Sequence, residues 1–432
     1  MSRTDAAPSP APRQDPSPLA ERFARIRGAM VDLAAPLSPE DCQIQSFADA
    51  SPTKWHLAHV SWFFETFVLE RQPGFQPFDT AFRVLFNSYY HGVGAQAPRA
   101  ERGLVTRPTL AEVLRYRAHV DEGVQTLLAE RAGDVAVESL VELGLHHEQQ
   151  HQELLLTDIK HAFSRHPLRP AYARRWPMAA VRPQPVRWFG HEGGLIEAGH
   201  WPEHDGSFCF DNEKPRHRAW QRPFEIASRP VTHGDYLAFM EDGGYQRPAL
   251  WLSMGWDWLR SGQRSAPLYW QRDDGRWCCH TLHGTVDIDP NTPICHLSYF
   301  EADAFARWSE ARLPTEIEWE HAARDIRAPS PANFADRRAF HPLPQTGPVG
   351  DSPVQMFGDV WEWTQSAYLP YPGYRPLGGA VGEYNGKFMC NQFVLRGGSC
   401  ATPAGHVRAS YRNFFPPEAQ WQFSGLRLAR DA

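Results

Sequence analysis

His147 and His151 stand four residues apart in the run His146-His147-Glu148-Gln149-Gln150-His151. On a helix that spacing projects both imidazoles from one face, about one turn apart, within reach of a single metal ion. Leu140, Leu143, Leu154 and Leu155 share the stripe, so the pair faces into the helix packing. A third imidazole is offered by Trp55-His56-Leu57-Ala58-His59. His59 shares a face with Trp55, Trp62 and Thr66, and His56 with Val60, Phe63 and Phe67, so periodicity leaves both open. Three neutral imidazoles leave positions for substrate and dioxygen, the logic of non-haem iron oxygenases, although zinc suits the same donors.

The same string fits the His-Glu-x-x-His pattern of zinc hydrolases, in which Glu148 would be a general base. The extended form of that pattern calls for a histidine six residues after His151, where this chain has Thr157.

The elements that must position these groups are helical. Residues 1–18 are Ala, Pro and polar residues without periodicity and read as a disordered leader. From 19 to 167 the pattern predicts about four helices in an antiparallel bundle, with Ser38-Pro39 and Ser51-Pro52 as starts, and with segments at Leu110–Glu130 and Val137–Phe163. Over 168–432, Pro, Gly, Trp and short alternating segments predict a loop-rich mixed domain, giving an α+β chain. Helices are expected within it near Val231–Glu241 and Tyr299–Arg312, and after Leu313-Pro314-Thr315-Glu316.

Composition narrows the classes. The net charge of -6 comes from 44 basic and 50 acidic residues that are interspersed, which points away from nucleic acid and anionic membranes. No apolar run approaches the roughly 20 residues of a spanning helix, and the N-terminal segment lacks a signal-peptide core, so a cytoplasmic location is expected. Seven cysteines without a Cys-x-x-Cys indicate reduced thiols rather than disulfides or a thiolate zinc site. The 16 tryptophans suit flat or cationic ligands, or simply an irregular core.

Taken together, Leu57-Ala58-His59 and His147-Glu148-Gln149-Gln150-His151-Gln152-Glu153 resemble the ergothioneine-biosynthesis sulfoxide synthases, also called hercynine oxygenases. So do Asp211-Asn212-Glu213, Arg312-Leu313-Pro314-Thr315-Glu316, Gly358-Asp359-Val360-Trp361-Glu362-Trp363, Arg396-Gly397-Gly398-Ser399 and Gly425-Leu426-Arg427-Leu428. The resemblance implies a DinB-like four-helix bundle followed by a formylglycine-generating-enzyme, or sulfatase-modifying, domain with a C-type-lectin-like core, the active site lying at their interface. It implies Fe(II) held by His59, His147 and His151. It implies that hercynine, the trimethylated betaine of histidine, is joined through a sulfoxide to cysteine or γ-glutamylcysteine with O2.

By the same resemblance Gln150 and Asn413 contact hercynine, and Phe414 and Phe415 offer π faces to its trimethylammonium. Tyr89 and Tyr90 match the paired tyrosines of one branch of the family, as proton donors. Phe415 stands where the better-known branch has an acidic residue, which favours the tyrosine-pair branch and counts against γ-glutamylcysteine. Arg83 and Arg412 are the arginines expected to hold the donor carboxylate. Selenoneine synthase, which uses a selenosugar, resembles the family in fold and iron site, but Tyr384-Asn385-Gly386-Lys387-Phe388-Met389-Cys390-Asn391-Gln392 is more similar to the sulfoxide synthases. The paired copper-binding cysteines of formylglycine-generating enzymes are missing: Cys400 is followed by Thr402, Gly405 and His406.

Overall fold

The computed structural model describes residues 18–178, 180–200, 207–324, 326 and 332–432. The leader read from the sequence lies outside the described residues except for Pro18, the first residue of helix α1 (Pro18–Ala34). There follow α2 (Thr53–Phe64), the single-turn α3 (Phe82–Leu85), α4 (Leu110–Glu130) and α5 (Val135–Arg165). α2 packs on α4 and α5, and α1 on the same two, so the four long helices form a bundle.

Local chemistry sets their ends. Thr109 and Glu112 form a capping box at the start of α4, and Asp134 accepts from the backbone of Ala136 and Val137 at the start of α5. The two Ser-Pro pairs part company. Ser38 opens only a 3-10 turn, Asp41–Gln43, whereas Ser51-Pro52 does stand at the start of α2 but gives it no side-chain cap. The Ser51 amide donates to Asp158 (2.8 Å) and its hydroxyl accepts from Arg102 (2.8 Å). All twelve residues of α2 are buried, and the helix runs on into a π-helical turn, Glu65–Leu69.

The second half is rich in small sheets. In the four-stranded one, Phe393–Arg396 pairs antiparallel with Asn413–Phe415 and with Trp361–Ala367, and Ser424–Gly425 lies parallel to Trp361. Helices His233–Glu241, Tyr299–Trp308 and Glu316–Ala323 each start at a capping box, Thr232 with Asp235, Ser298 with Glu301 and Thr315 with Glu318. A further helix, Ser253–Ser261, has no side-chain cap and was not anticipated from the sequence. The chain is α+β, a helical bundle followed by a sheet-rich half.

The halves share a core. Leu282, Phe340, Cys400 and Phe423 belong to the same apolar cluster as the bundle helices. Glu153 on α5 accepts from Trp361 Nε1 (2.8 Å), Thr402 Oγ1 (2.6 Å) and Ser399 Oγ. The turn that delivers Ser399 requires Gly397, whose φ is +97° and whose Cβ would lie 2.5 Å from the Met356 carbonyl oxygen. Lys160, also on α5, donates to His296 Nε2 at 2.6 Å. These bonds seat one face of α5 on the second half, which is where the cluster of imidazoles opens.

Candidate metal centre and its cavities

His59 from α2 and His147 and His151 from α5 each bring a ring nitrogen to within 4.8 Å of the others, and all three are buried. His59 is clamped between Trp55, stacked at 4.4 Å, and Trp62, stacked at 5.6 Å. Its Nδ1 donates to the Phe86 carbonyl at 2.7 Å, which leaves the lone pair on Nε2. That Nε2, and both ring nitrogens of His147, have no hydrogen-bond partner among the described residues. A buried polar atom without a partner costs about 1–3 kcal/mol, and a metal ion at this point would meet several such atoms at once. The donors present fit the ion.

His56 stands behind the cluster rather than in it. Its Nε2 lies 3.0 Å from Asp158 Oδ2 and its Nδ1 lies 2.8 Å from His151 Nδ1. With a His56 proton on the nitrogen that faces the carboxylate and Nδ1 free to accept, His151 donates to it and turns its Nε2 lone pair inward. Glu148 points the other way. Its carboxylate is fully buried and paired with Arg27 (2.8 Å) and Arg117, so it cannot serve as the base of a zinc hydrolase.

Burial holds all three imidazoles neutral, and their mutual proximity adds to this for His59 and His151. His147 is pushed down to about 3, chiefly by burial. Below the ordinary histidine value near 6.5 the unfolded chain takes up protons that the folded cluster refuses. Stability of the metal-free protein therefore falls as pH drops from 6.5 towards 3, by up to roughly 1.4 kcal/mol per pH unit for each histidine. Urea unfolding of the metal-free protein between pH 8 and pH 5 is expected to show this decline. A flat profile would mean that the cluster is protonated in the folded state.

Two cavities meet the cluster. One, of about 290 Å³, is lined by His151, Trp55, Gln150, Tyr89, Tyr384, Asn413, Phe414, Phe415, Trp421, Arg99 and Arg102. The other, of about 460 Å³, reaches His147, Tyr90, Phe63, Gln150 and Tyr384 from the opposite side. Gln150 and Tyr384 line both, and Tyr89 stacks on Tyr384 at 5.3 Å and lies 4.7 Å from Tyr90, so the three phenols stand in the wall between the cavities. Burial raises the Tyr89 and Tyr90 hydroxyls and takes Tyr384 up to about 12, so each keeps its proton at neutral pH. Phe414 stacks on Tyr368 at 4.1 Å, and Phe415 meets Trp421 edge-on at 6.1 Å.

Neither expected arginine lines either of these two cavities. Arg83 is nearly half exposed and pairs with Glu70 at the surface. Arg412 is buried but committed, through Nε (2.8 Å) and Nη2 (3.0 Å), to Glu316. Arg102 is an arginine that does line the smaller cavity. Its guanidinium donates to the hydroxyls of Ser51 (2.8 Å) and Ser88 (3.0 Å), lies 3.5 Å over the Trp55 ring, and leaves Nε without a partner among the described residues. Arg99, three residues earlier on the same 3-10 turn, lines the rim. Tyr384 and Trp421 were also not singled out as site residues; the Tyr-Asn-Gly-Lys-Phe segment was the signal available for the first, and none existed for the second.

Residues 190–432 match the sulfatase-modifying factor enzyme 1-like domain, and residues 22–155 match the DinB superfamily. Hercynine oxygenase of Mycolicibacterium thermoresistibile is 32% identical, over 88% of this chain and 87% of its own length. Hercynine oxygenase of Mycobacterium tuberculosis is 33% identical, over 96% of this chain and 99% of its own. Ergothioneine biosynthesis protein 1 of Schizosaccharomyces pombe is 26% identical, over 52% of this chain and 28% of its own length. With about a third of its residues shared with each of the two mycobacterial proteins along nearly its whole length, the chain belongs to the hercynine oxygenase family.

Proposed function

We propose that this chain is a non-haem iron(II) sulfoxide synthase that joins hercynine to cysteine, using dioxygen, in ergothioneine biosynthesis. The observation that carries the reading is the cluster of three buried imidazoles with unpartnered nitrogens, opening onto a cavity walled by Gln150, Asn413 and aromatic rings. The reaction balances: one ring C–H of hercynine and the thiol S–H are lost, a C–S bond and an S=O bond form, and the second oxygen atom leaves as water. Iron(II), held by His59, His147 and His151, would supply the electron transfers that let triplet dioxygen react with closed-shell partners.

The chain's own residues do the rest. Gln150 and Asn413 orient hercynine, and the faces of Phe414, Phe415 and Trp421 receive its trimethylammonium, a contact worth about 0.5–2 kcal/mol. Arg102 receives the donor's carboxylate, with Arg99 beside it at the rim. Phe415 offers no polar group to a γ-glutamyl arm, which favours free cysteine. Tyr89 and Tyr90, kept protonated by burial, give up and recover a proton as oxygen is reduced to water.

Purified protein is expected to carry iron and to consume O2 on addition of hercynine and cysteine, yielding the hercynyl sulfoxide by mass spectrometry. Zinc in place of iron, or no uptake, would overturn the reading, and a product formed only from a competing selenosugar would redirect it. Arg102→Met is expected to raise KM for the thiol about tenfold or more, the scale of a lost charged hydrogen bond, with KM for hercynine little changed. Arg83→Met should be silent in the same assay; the reverse pattern would return the carboxylate to Arg83.

A further inference from the structure

Gln150 turns one side of its amide to the cavity and the other to the second half of the chain, where the Tyr411 hydroxyl lies 2.9 Å away. Behind Tyr411 a line of buried groups runs to the surface. The Tyr411 oxygen is 3.0 Å from His406 Nε2, His406 Nδ1 is 3.0 Å from His146 Nδ1, and His146 Nε2 is 2.9 Å from Nη2 of Arg22. Tyr411, His406 and His146 are 4%, 1% and 2% exposed, whereas Arg22 reaches solvent and pairs with Glu142 at 2.7 Å.

The direction of this chain is set at Arg22. A guanidinium can only donate, so His146 Nε2 accepts and the His146 proton sits on Nδ1. That proton goes to His406 Nδ1, which places the His406 proton on Nε2, pointing at the Tyr411 oxygen. An imidazolium at either ring would set two N–H groups against each other. The Tyr411 proton is then the one left to donate, and the group in reach is the Gln150 amide. The structure draws the amide nitrogen towards Tyr411, but the two ends of an amide have the same shape and the surrounding network decides between them.

We propose that Arg22, His146, His406 and Tyr411 form a one-way hydrogen-bond chain that turns the Gln150 carbonyl towards Tyr411 and presents its NH2 group to the cavity. Tyr411 and His406 are then positioning residues, and Gln150 recognises an acceptor on the substrate, a carboxylate oxygen or a lone-pair ring nitrogen. The identity of that substrate rests on the reading above; the direction of the chain does not.

Histidine-selective 15N labelling of the metal-free, full-length protein, with His146→Asn and His406→Asn for assignment, is expected to show Nδ1–H at His146 and Nε2–H at His406. The opposite tautomer at either ring overturns the proposal. In turnover, Tyr411→Phe is expected to raise KM for hercynine about tenfold while kcat, KM for the thiol and iron content stay near wild type. Arg22→Met is expected to mix the His146 tautomers, and Arg22→Lys to preserve them. A wild-type KM in Tyr411→Phe, or unchanged tautomers in Arg22→Met, would defeat the chain. A wild-type protein that turns over no hercynine defeats the substrate reading alone, since the tautomers still report on the chain.

Discussion

The His147→Ala protein is expected to hold no stoichiometric metal and to lose turnover by more than the roughly 10²–10³-fold that one preorganised hydrogen-bond donor contributes. His147 has no other work in the fold: both of its ring nitrogens lack partners among the described residues, and it packs beside Phe63 at 4.7 Å. Removing it therefore leaves no broken hydrogen bond, and the metal-free variant should unfold near the metal-free wild type. What disappears is the gain from the ion, about 2.7 kcal/mol at a hundred times Kd, so the two proteins should separate only when metal is added. His56→Ala is the contrast. It removes the ring that orients His151 through Asp158, and it should weaken metal affinity about 10–100-fold while turnover survives at saturating metal. Metal content and melting with and without Fe(II) check both. A His147→Ala protein that still binds the ion tightly would mean that the cluster is not the metal centre.

The difference between His56 and His59 also shows where sequence reasoning stops. Periodicity locates a face only when another face is polar, and α2 is buried on every side, so its two histidines were equivalent on that criterion. α5 was legible because polar residues separate its leucines in the sequence, which let the stripe through His147 and His151 stand out even though the fold buries nearly every position from Gly144 to Lys160. The arginine at the cavity was missed for another reason. Arg102 reaches Ser51 and Trp55 because the 3-10 turn Arg99–Leu104 folds back on α2, a tertiary contact with no local pattern. Gln150 could be assigned to the cavity from its place between the ligand positions, but its bond to Tyr411 spans 261 residues and joins two domains. Helix ends with capping boxes were readable to within a residue or two, and Ser253–Ser261, which has none, was not.

Glu148→Gln is expected to destabilise the fold by about 3–5 kcal/mol, a large part of the 5–15 kcal/mol that holds a typical protein together, whether or not metal is present. In the sequence Glu148 reads as the base of a His-Glu-x-x-His hydrolase, and one residue along a helix is a turn of about 100° away from the ligand face. The structure shows what occupies that other direction. Arg27 of α1 and Arg117 of α4 both bond the Glu148 carboxylate of α5, and Arg27 also donates to Ser61 of α2 at 2.9 Å, so all four long helices converge on it. Both guanidiniums are 2% exposed, and among the described residues Asp121 is the other carboxylate within ion-pair reach of either. Burial works to raise the Glu148 carboxyl, and Arg117 and Arg27 overcome this and hold it below the usual carboxylate range. A glutamine keeps the volume and leaves two buried cations facing one remaining anion, the costly way to break a buried ion pair. The two roles make opposite predictions. A structural lock predicts a large fall in the urea midpoint of the metal-free protein, with metal affinity changed only as far as the bundle loosens. A catalytic base predicts unchanged stability and lost turnover, and that result would place Glu148 back in the site.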